Sequence, residues 1–297
     1  MDLPQILIEK GFSLDKNVFR YRSDNIIYDK SERGNYRNGY SLNEIEYHEI
    51  WHSAIGALND PFEVYASANE NEYDELTDVE LNYIWLNVFA SRPDSGLLGH
   101  SKDYLEKFYR DNKSVVKAKI KEYMSNKVFF SQFVSEIRNL IAISSFTRVC
   151  DSRLMWGYYC NGLAGMCLIY NLEKLQKSGI FLSEVNYQLG GYKLNLFDFM
   201  HSYRTPRTNE LLTNIPKFKH EEWSHEHELR SIKPLSEGFQ GIGETMTIDR
   251  GCLDGVIIGK KTKIETIERI RKLSIKQHFK VFMADADLDG FKIKIYQ

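Results

Sequence analysis

The segment Trp223-Ser-His-Glu-His-Glu-Leu-Arg230 brings two carboxylates, a guanidinium, two imidazoles and an indole into eight consecutive residues. If the segment forms a β-strand, its side chains alternate between two faces, and Glu226, Glu228 and Arg230 share one of them. Two carboxylates on one face repel each other, so one of them should hold its proton more tightly unless Arg230 compensates. Such acid pairs are frequent at catalytic sites, although a solvent-exposed ion pair on an edge strand also explains the pattern.

The first half of the chain is dominated by apolar residues at helical spacing. Thr77 and Glu80 have the spacing of a capping box, which predicts that a helix begins there. The predicted helices are residues 41–55, 77–89 and 101–139, with a break in the third near Asn126.

The second half contains short apolar runs bounded by polar residues or glycine, which predict buried strands. Thr262 and Glu265 repeat the capping-box spacing and predict one amphipathic helix among these strands. Because no linker-like composition separates the two halves, we expect a single α+β domain over residues 1–297. The predicted strands are residues 18–21, 140–146, 164–170, 180–187, 228–232, 256–258, 280–283 and 291–296.

The composition is typical of a folded protein without a strong overall electrostatic field. The 297 residues are 42% hydrophobic and 13% aromatic, and the formal net charge is −2. These values disfavour disorder and a general attraction to nucleic acid or to an anionic membrane. No segment has the pattern of a signal peptide or of a bilayer span. The four cysteines lack C-x-x-C spacing, so we expect a reduced protein in the cytoplasm.

Two patterns raise the question of a metal ion. His220, His225 and His227, together with the acid pair, are ligand types of a zinc-dependent hydrolase or nuclease. The segment Asp285-Ala-Asp-Leu-Asp-Gly290 matches the first half of a calcium-binding loop, but Tyr296 stands where such loops carry a bidentate glutamate. We therefore favour surface or packing histidines and a turn between two strands, and we expect no metal ion.

Six motifs follow one another along the chain. They are Phe19-Arg-Tyr-Arg22, Leu58-Asn-Asp-Pro-Phe-Glu63, Ser145-Phe-Thr147, Leu154-Met-Trp-Gly-Tyr-Tyr159, Gly165-Met-Cys-Leu-Ile-Tyr170 and Trp223-x-x-Glu226-x-Glu228-x-Arg230. In the second motif, Asn59 and Asp60 bond to local amides and Pro61 fixes the backbone, which predicts a rigid turn. Over about residues 19–259, this series resembles a large bacterial family of domains of unknown function that is related to abortive-infection proteins.

That family is related by remote similarity to ADP-ribosyltransferase-like folds, which implies a split mixed sheet with NAD bound in its cleft. Compared with the family pattern, residues 65–140 form a long helical insertion. In such folds a first-strand arginine contacts the dinucleotide, a second strand braces the cleft with Ser or Thr, and a later strand carries the essential glutamate. The resemblance implies NAD-binding roles for Arg20, Tyr21, Arg22, Ser145, Thr147, Trp156, Tyr159 and Arg230, and catalytic roles for Glu226 and Glu228.

The implied reaction cleaves the nicotinamide–ribose bond through an oxocarbenium-like state. We expect Glu228 to hydrogen-bond the ribose 2′-hydroxyl, Glu226 to orient or deprotonate the acceptor, and Arg22 to bind the pyrophosphate. The acceptor stays open between protein, nucleic acid, a small molecule and water. A toxin or antiphage effector of this kind implies an antitoxin or another defence-system partner, and no membrane. Two other classes stay open: a non-enzymatic binding or sensor module on the same scaffold, and a metal-dependent hydrolase or nuclease.

Overall fold

The computed structural model of the chain has a mixed α+β fold with one large mixed sheet, which confirms the predicted fold class at that level. The chain forms two compact units. Unit 1 comprises Met1–Leu58, Ala142–Tyr187 and Glu221–Gln297, and unit 2 comprises Asn59–Ile141 and Gln188–His220. The structure describes residues 2–25, 40–68, 75–90, 95–124, 134–135, 137–190, 192–194, 213–236 and 238–297.

Helices are more frequent in the first half of the described chain and strands in the second, as the apolar spacing predicts. The strands are β1 (Asn17–Ser23), β2 (Glu49–Ala54), β3 (Ala66–Ala68), β4 (Ile141–Thr147), β5 (Gly165–Asn171), β6 (Ser183–Glu184), β7 (Asn186–Gln188), β8 (Tyr192–Leu194), β9 (Phe218–His220), β10 (Glu228–Pro234), β11 (Gly243–Thr247), β12 (Leu253–Gly259), β13 (Lys280–Asp287) and β14 (Lys292–Tyr296). The helices of the described residues are α1 (Gln5–Glu9), α2 (Tyr40–Glu46), α3 (Asp78–Ile84), α4 (Lys102–Asp111), α5 (Lys113–Met124), α6 (Arg153–Tyr159), α7 (Leu172–Lys177) and α8 (Ile264–Gln277), with 3-10 turns at Ile55–Ala57, Ile215–Lys217 and Glu221–Glu226 and a π-helical turn at Trp85–Phe89.

The large sheet belongs to unit 1. Eight strands lie side by side in the order β11-β2-β4-β1-β5-β12-β13-β14, and β10 pairs with β4 and β6. Strands β12 and β13 are parallel and are joined by α8, whereas β1 pairs antiparallel with β4 and β5. Strands β5 and β12 are nearly continuous apolar runs because both faces of the sheet are covered at this point.

Each face of the sheet carries its own hydrophobic cluster. Val18, Phe146 and Leu229 belong to one cluster, and Phe19 and Tyr21 belong to the other. Because successive side chains of a strand point to opposite faces, these clusters lie on opposite sides of the sheet. We call the two sides the Val18 face and the Phe19 face.

The predicted helix over residues 41–55 is wrong in its second part. Helix α2 ends at Glu46, and β2 occupies residues 49–54. His48, with φ of 59°, turns the chain between them. In β2 the buried Ile50 and His52 alternate with more exposed residues, and the strand pairs with β11, which lies far along the chain. This non-local pairing outweighs the local helical spacing.

Helix α8 forms as predicted, but its predicted cap is wrong. Its N-cap is Lys263, and no side chain of that residue caps the helix. Thr262 instead donates from Oγ1 to the main-chain oxygen of Gly165 at 2.8 Å. The carboxylate of Asp24 accepts from Lys263 N at 3.1 Å and from Thr266 Oγ1 at 3.0 Å. The helix N-terminus is therefore capped by a carboxylate from a distant segment, and the negative charge of that carboxylate interacts favourably with the helix dipole.

Unit 2 contains the predicted helical segment. The capping box of Thr77 and Glu80 is present, with both reciprocal bonds formed. Helices α4 and α5 are separated at Asn112, whereas the predicted break near Asn126 lies outside the described residues. The basic residues at 117, 119 and 121 lie on α5, where the last two are exposed.

The Asn59–Glu63 motif forms the predicted turn in unit 2. The carboxylate of Asp60 accepts from Phe62 N at 2.9 Å, which closes an Asx turn. Asp60 and Glu63 are buried, and Glu63 Oε2 lies 3.7 Å from Lys219 Nζ. These contacts show how the short motif holds one conformation.

The four cysteines are buried and form no disulfide. Among the described residues, every helix is too short or too polar to span a lipid bilayer.

Candidate functional site

The predicted strand over residues 228–232 forms as β10, but the segment from Trp223 to Arg230 is not one continuous strand. Residues 221–226 form a 3-10 helix, and β10 begins at Glu228. His227 joins the two with φ of 44°, a left-handed conformation that is uncommon outside glycine. Glu226 and Glu228 therefore belong to different elements and do not share one strand face.

Glu226 is held by two hydroxyl groups. Its side chain is buried, with 3% of the residue exposed. Tyr159, the last residue of α6, donates from its hydroxyl to Glu226 Oε1 at 2.5 Å. Thr147, the last residue of β4, donates from Oγ1 to the main-chain oxygen of Glu226 at 2.6 Å. Three residues that the motifs single out thus meet in space, although they come from a strand, a helix and a 3-10 turn.

Glu228 and Arg230 form a buried ion pair on one side of β10. Arg230 Nε lies 2.9 Å from Glu228 Oε1, and Arg230 Nη2 lies 3.0 Å from Oε2. The two residues are 4% and 1% exposed. This bidentate geometry is the strong form of a charge-assisted hydrogen bond. It places the positive charge of the Arg230 guanidinium directly against the Glu228 carboxylate. The sequence indicates Arg230 as the compensating cation, and the structure agrees.

Tyr187 supports this pair and carries no motif. The main-chain N–H of Glu228 donates to the Tyr187 hydroxyl at 2.8 Å. Tyr187 is the last residue of the predicted strand over residues 180–187, and nothing in that pattern indicates this contact.

The arginines of β1 lie on the Val18 face. Arg20 and Arg22 alternate with Tyr21 along the strand. Arg20 donates from Nη1 to the hydroxyl of Ser144, and its guanidinium lies 5.1 Å from the ring centre of Phe146. The structure does not bring these two arginines to the Glu226 site.

The Phe19 face carries most of the other predicted residues. Thr147 is the partner of Phe19 in the β1–β4 pair, so it points to this face. Ser145 shares the face by alternation, and it is exposed whereas the rest of β4 is buried. Glu228 and Arg230 alternate with Leu229, which packs on the Val18 face, so they also project toward the Phe19 side.

The central acid of the Val18 face is Glu44, which the motifs miss. Glu44 Oε1 lies 2.9 Å from Arg20 Nε and accepts from the Tyr170 hydroxyl at 2.9 Å, while Oε2 accepts from Arg22 Nε at 2.6 Å. Burial raises the pKa of Glu44, but Arg20, Arg22 and Tyr170 together outweigh it and hold the pKa below its ordinary value. Burial, and then Arg22, lower the pKa of Arg20 to about 10, so its guanidinium stays charged at neutral pH.

The sequence contains one weak indication that Glu44 is buried. It lies on the same side of the short helix α2 as Ser41 and Ile45, which are also buried. An acid inside an apolar stripe of a helix requires a buried cation, and Arg20 supplies it.

His52 is a buried neutral histidine beside this network. Its Nε2 lies 3.0 Å from Ser231 Oγ, and its Nδ1 lies 3.3 Å from the main-chain oxygen of Ile50. Burial, and then the charge of Arg20, lower the pKa of His52 to about 4. In the unfolded chain, His52 has its ordinary pKa of 6.5, which is higher than its pKa of about 4 in the folded protein. Stability from the neutral form is therefore present above pH 6.5 and is lost as the pH falls toward 4.

We expect the variant His52→Gln to remove part of this pH dependence. The stability difference between the wild type and the variant should shrink by up to about 3 kcal/mol between neutral pH and about pH 4. Urea unfolding at a series of pH values measures it, with His100→Gln at an exposed histidine as the control. A difference that does not change with pH would show that His52 is not held neutral by the fold.

Tyr21 and Trp156 pack together inside the Phe19-face cluster. Their ring centres are 5.4 Å apart in an edge-to-face arrangement, and both residues are buried. Trp156 donates from Nε1 to the main-chain oxygen of Cys150 at 2.9 Å, and the Tyr21 hydroxyl has no hydrogen-bond partner among the described residues. Burial raises the pKa of Tyr21 well above its ordinary value. These rings serve the core in this structure, and neither presents a face for stacking on a nicotinamide.

The histidines do not have the arrangement that the alternative of a zinc site requires. His225 and His227 do not alternate along a strand, because the first lies in the 3-10 turn, and His220 lies in unit 2. His225 Nδ1 lies 3.0 Å from the main-chain oxygen of Glu222. Within the described ranges, no group of three or more His, Cys, Asp or Glu side chains is arranged to hold a metal ion.

The Asp285–Gly290 segment comprises the last three residues of β13 and the first part of the turn to β14. Asp287 accepts from Gly290 N at 3.1 Å, and Lys260 pairs with Asp285. A shallow hollow of about 440 Å³ adjoins this hairpin and is lined by Asp285, Ala286, Asp287, Leu288, Lys294 and Tyr296. It shares no residue with the Glu226 site.

The geometry thus assembles Glu226, Tyr159, Thr147 and the Glu228–Arg230 pair, and it keeps Arg20 and Arg22 on the other side of the sheet. Comparison of the chain with protein-family models, with curated proteins and with solved structures finds no match.

Proposed function

We propose that this chain is an NAD-consuming enzyme of ADP-ribosyltransferase-like type that acts as a toxin or antiphage effector. It would cleave the nicotinamide–ribose bond and transfer ADP-ribose to an acceptor, which is a protein, a nucleic acid, a small molecule or water. The proposal includes a relation of the large sheet to the split sheet of that fold type, and membership of the bacterial family that the motifs resemble.

The observation that carries the proposal is the meeting of Glu226, Tyr159 and Thr147 beside the Glu228–Arg230 pair. These residues come from three motifs that are far apart in the sequence. Motifs that served only the stability of the fold would not be expected to meet at one buried carboxylate. The exposed Ser145 marks a place where the Phe19 face is open to solvent.

The chemistry suits a carboxylate at this position. In the reaction the bond between C1′ of the ribose and the pyridinium nitrogen breaks, and its electron pair leaves with neutral nicotinamide. The cation that develops on the ribose is stabilised by a nearby negative charge more in the transition state than in the ground state. The acceptor then forms its bond to C1′ and releases its proton to a carboxylate or to solvent.

The positions of the residues expected to bind NAD change the roles that we propose for them. Arg20 and Arg22 stabilise Glu44 and are not assigned to the pyrophosphate. Ser145 and Thr147 lie on the face that would bind NAD in this proposal, whereas Tyr21 and Trp156 would support that face from the core. An enzyme of this kind is harmful to its own cell, so an antitoxin or another defence-system component would hold it inactive.

Purified protein tests the proposal. Incubation with NAD should release nicotinamide, and a lysate with labelled NAD should show whether ADP-ribose passes to a macromolecule. The double variant Glu226→Gln/Glu228→Gln should lower the rate about 100-fold or more, the scale of losing electrostatic stabilisation. Thermal unfolding must show that the variant is folded. The matched control is Glu221→Gln/Glu222→Gln, which removes two exposed carboxylates from the same 3-10 helix.

A non-enzymatic binding or sensor module is the second candidate. The observation in its favour is that both oxygens of Glu228 are engaged by Arg230 inside the fold. A module of this class would leave NAD unchanged in every condition and would co-purify with one partner in stoichiometric amount.

A further inference from the structure

We propose that β14 is a docking edge, to which an extended acidic segment of a partner protein adds as a further strand of the large sheet. The partner segment would alternate acidic residues with β-branched apolar ones. This inference stands independently of the proposed reaction, because it involves neither NAD nor the Glu226 site. It rests on the pairing of β14, on the charges around Lys294 and on the hollow beside the hairpin.

Strand β14 is the last strand at one end of the sheet. Among the described residues it pairs with β13 alone, antiparallel, from Tyr296 opposite Met283 to Lys292 opposite Asp287. Its other side therefore carries main-chain N–H and C=O groups to which no described strand is bonded. Such a row of groups is the template on which an extended peptide adds to a sheet, and the main-chain hydrogen bonds supply affinity.

The two faces of β14 differ in chemistry. Ile293 and Ile295 are buried and belong to the cluster of the Phe19 face. Lys292, Lys294 and Tyr296 alternate with them and so project on the Val18 face, where both lysines are exposed. The buried isoleucines fix the register of β14, since a shift by one residue would expose them. The edge is therefore a preformed template.

Charges of alternating sign cross the sheet at this end. Lys260, which follows β12, pairs with Asp285 of β13, and Asp285 lies opposite Lys294 of β14. The hydrogen bond from Lys260 holds the pKa of Asp285 below its ordinary value. Lys294 is the outermost charge of this row and forms no ion pair within the described part of the chain. A carboxylate on an added strand, directly opposite Lys294, would continue the alternation.

Lys292 repeats this arrangement two residues away. Its Nζ lies 4.0 Å from Asp287 Oδ2, at the limit of an ion pair. Acidic residues at alternate positions of the partner segment would face both lysines of β14, and the residues between them would lie beside Ile293 and Ile295. Valine, isoleucine or threonine suits those positions, because β-branched side chains pack well on a half-buried strand.

A hollow and an apolar turn extend the surface beyond the strand. The hollow of about 440 Å³ is lined by Leu288, Lys294 and Tyr296 together with the end of β13. Leu288 and Phe291, in the turn, are 79% and 77% exposed. A side chain that precedes or follows the added strand would find apolar contact there, and pockets of this kind supply the specificity of strand addition.

A second copy of this chain is the alternative occupant, and the lysines disfavour it. Antiparallel pairing of two β14 strands centred on Lys294 would place that residue opposite its own copy. Like charges directly opposite each other destabilise a strand pair, and lysines on edge strands prevent self-association. The same lysines thus reject a second copy and select an acidic strand.

The probe is the capped peptide Ser-Glu-Val-Glu-Val-Glu-Ser, titrated into the full chain by isothermal calorimetry. It should bind, and Lys294→Glu should weaken binding about 10-fold or more, because a like-charge pair replaces an opposite-charge pair. The matched control is Lys272→Glu, which makes the same charge change at an exposed residue of α8 and should bind as the wild type does. Thermal unfolding checks that both variants are folded. Equal affinities of Lys294→Glu and Lys272→Glu would contradict the proposal.

Two further peptides separate strand addition from simple attraction between charges. The same sequence with methylated backbone amides keeps its charges but cannot donate main-chain hydrogen bonds, so it should not bind. The sequence with lysine in place of glutamate keeps the backbone but reverses the charge, and it should bind at least about 10-fold more weakly. A methylated peptide that binds as tightly as the first would assign the binding to charge alone and remove the docking edge.

Hydrogen exchange locates the bound peptide. Amides of β14 should exchange more slowly in the complex, whereas those of β11, at the other end of the sheet, should not change. Protection that appears elsewhere, or no binding at a peptide concentration of about 1 mM, overturns the inference. So does a wild-type dimer whose β14 amides are protected without peptide, which would assign the edge to a second copy.

Discussion

Replacing Arg230 by alanine is expected to lower the free energy of unfolding of unit 1 by about 3–5 kcal/mol. The guanidinium is 1% exposed, and it is the bidentate partner of the equally buried Glu228. Its removal leaves a buried carboxylate without compensation. The change also removes the long stem that packs along β10 and opens a cavity. Urea unfolding at pH 7 measures the loss.

The same strand offers a matched control. Lys233 pairs with Glu244, and the side chains of this pair are 24% and 32% exposed. Lys233→Ala should cost less than about 1 kcal/mol, because such a pair is screened by solvent. The double change Arg230→Met/Glu228→Leu should recover much of the loss, since it removes both charges. If Arg230→Ala costs no more than Lys233→Ala, the pair does not stabilise the fold as described.

Replacing Glu44 by glutamine is expected to have an effect of similar size, about 3–5 kcal/mol at pH 7. Glu44 is the common partner of Arg20 and Arg22, and it also accepts from Tyr170. Glutamine keeps the shape and one acceptor but removes the charge that offsets a buried guanidinium. Glu46, also on α2, is only partly buried and pairs with Arg269 of α8. It supplies the control Glu46→Gln, which should cost less than about 1 kcal/mol.

The pH dependence of the Glu44 variant distinguishes a charge effect from a packing effect. The pKa of Glu44 is held below its ordinary value of 4.5, so its contribution is present above pH 4.5 and is lost as the pH falls through the lower, folded pKa. The stability difference between the wild type and Glu44→Gln should therefore narrow below pH 4.5. A difference that is constant with pH would assign the effect to packing.

Local patterns predict much of the fold in this chain. Strands β4, β5 and β12 are compact apolar runs that both faces of the sheet bury, and α8 has a complete apolar stripe. The capping box at Thr77 is a local interaction, and it forms. These elements are predictable because the residues that decide them are neighbours in the sequence.

The errors arise where a distant partner decides the local structure. Residues 49–54 are spaced like the end of a helix, but pairing with β11 makes them a strand. The Glu-x-Glu-x-Arg pattern reads as a continuous strand, yet the bonds from Thr147 and Arg148 fix a 3-10 turn up to Glu226. A left-handed conformation at His227 is also not predictable from a histidine.

The candidate site is predicted in part for the same reason. Glu226, Glu228, Thr147 and Tyr159 are identified by their motifs, but their contacts depend on the tertiary fold. The separation of Arg20 and Arg22 from Tyr21 follows from strand alternation, which the sequence already contains. Glu44 and Tyr187 belong to no motif, so only the structure shows them.

Cellular NAD during expression of the chain tests the central claim most directly. Wild-type protein and the double variant Glu226→Gln/Glu228→Gln are expressed to equal, folded levels, and the NAD content is followed over time. The proposal predicts that NAD falls with the wild type and stays at the level of uninduced cells with the variant. NAD that stays constant with the wild type, or that falls equally with both proteins, would contradict it.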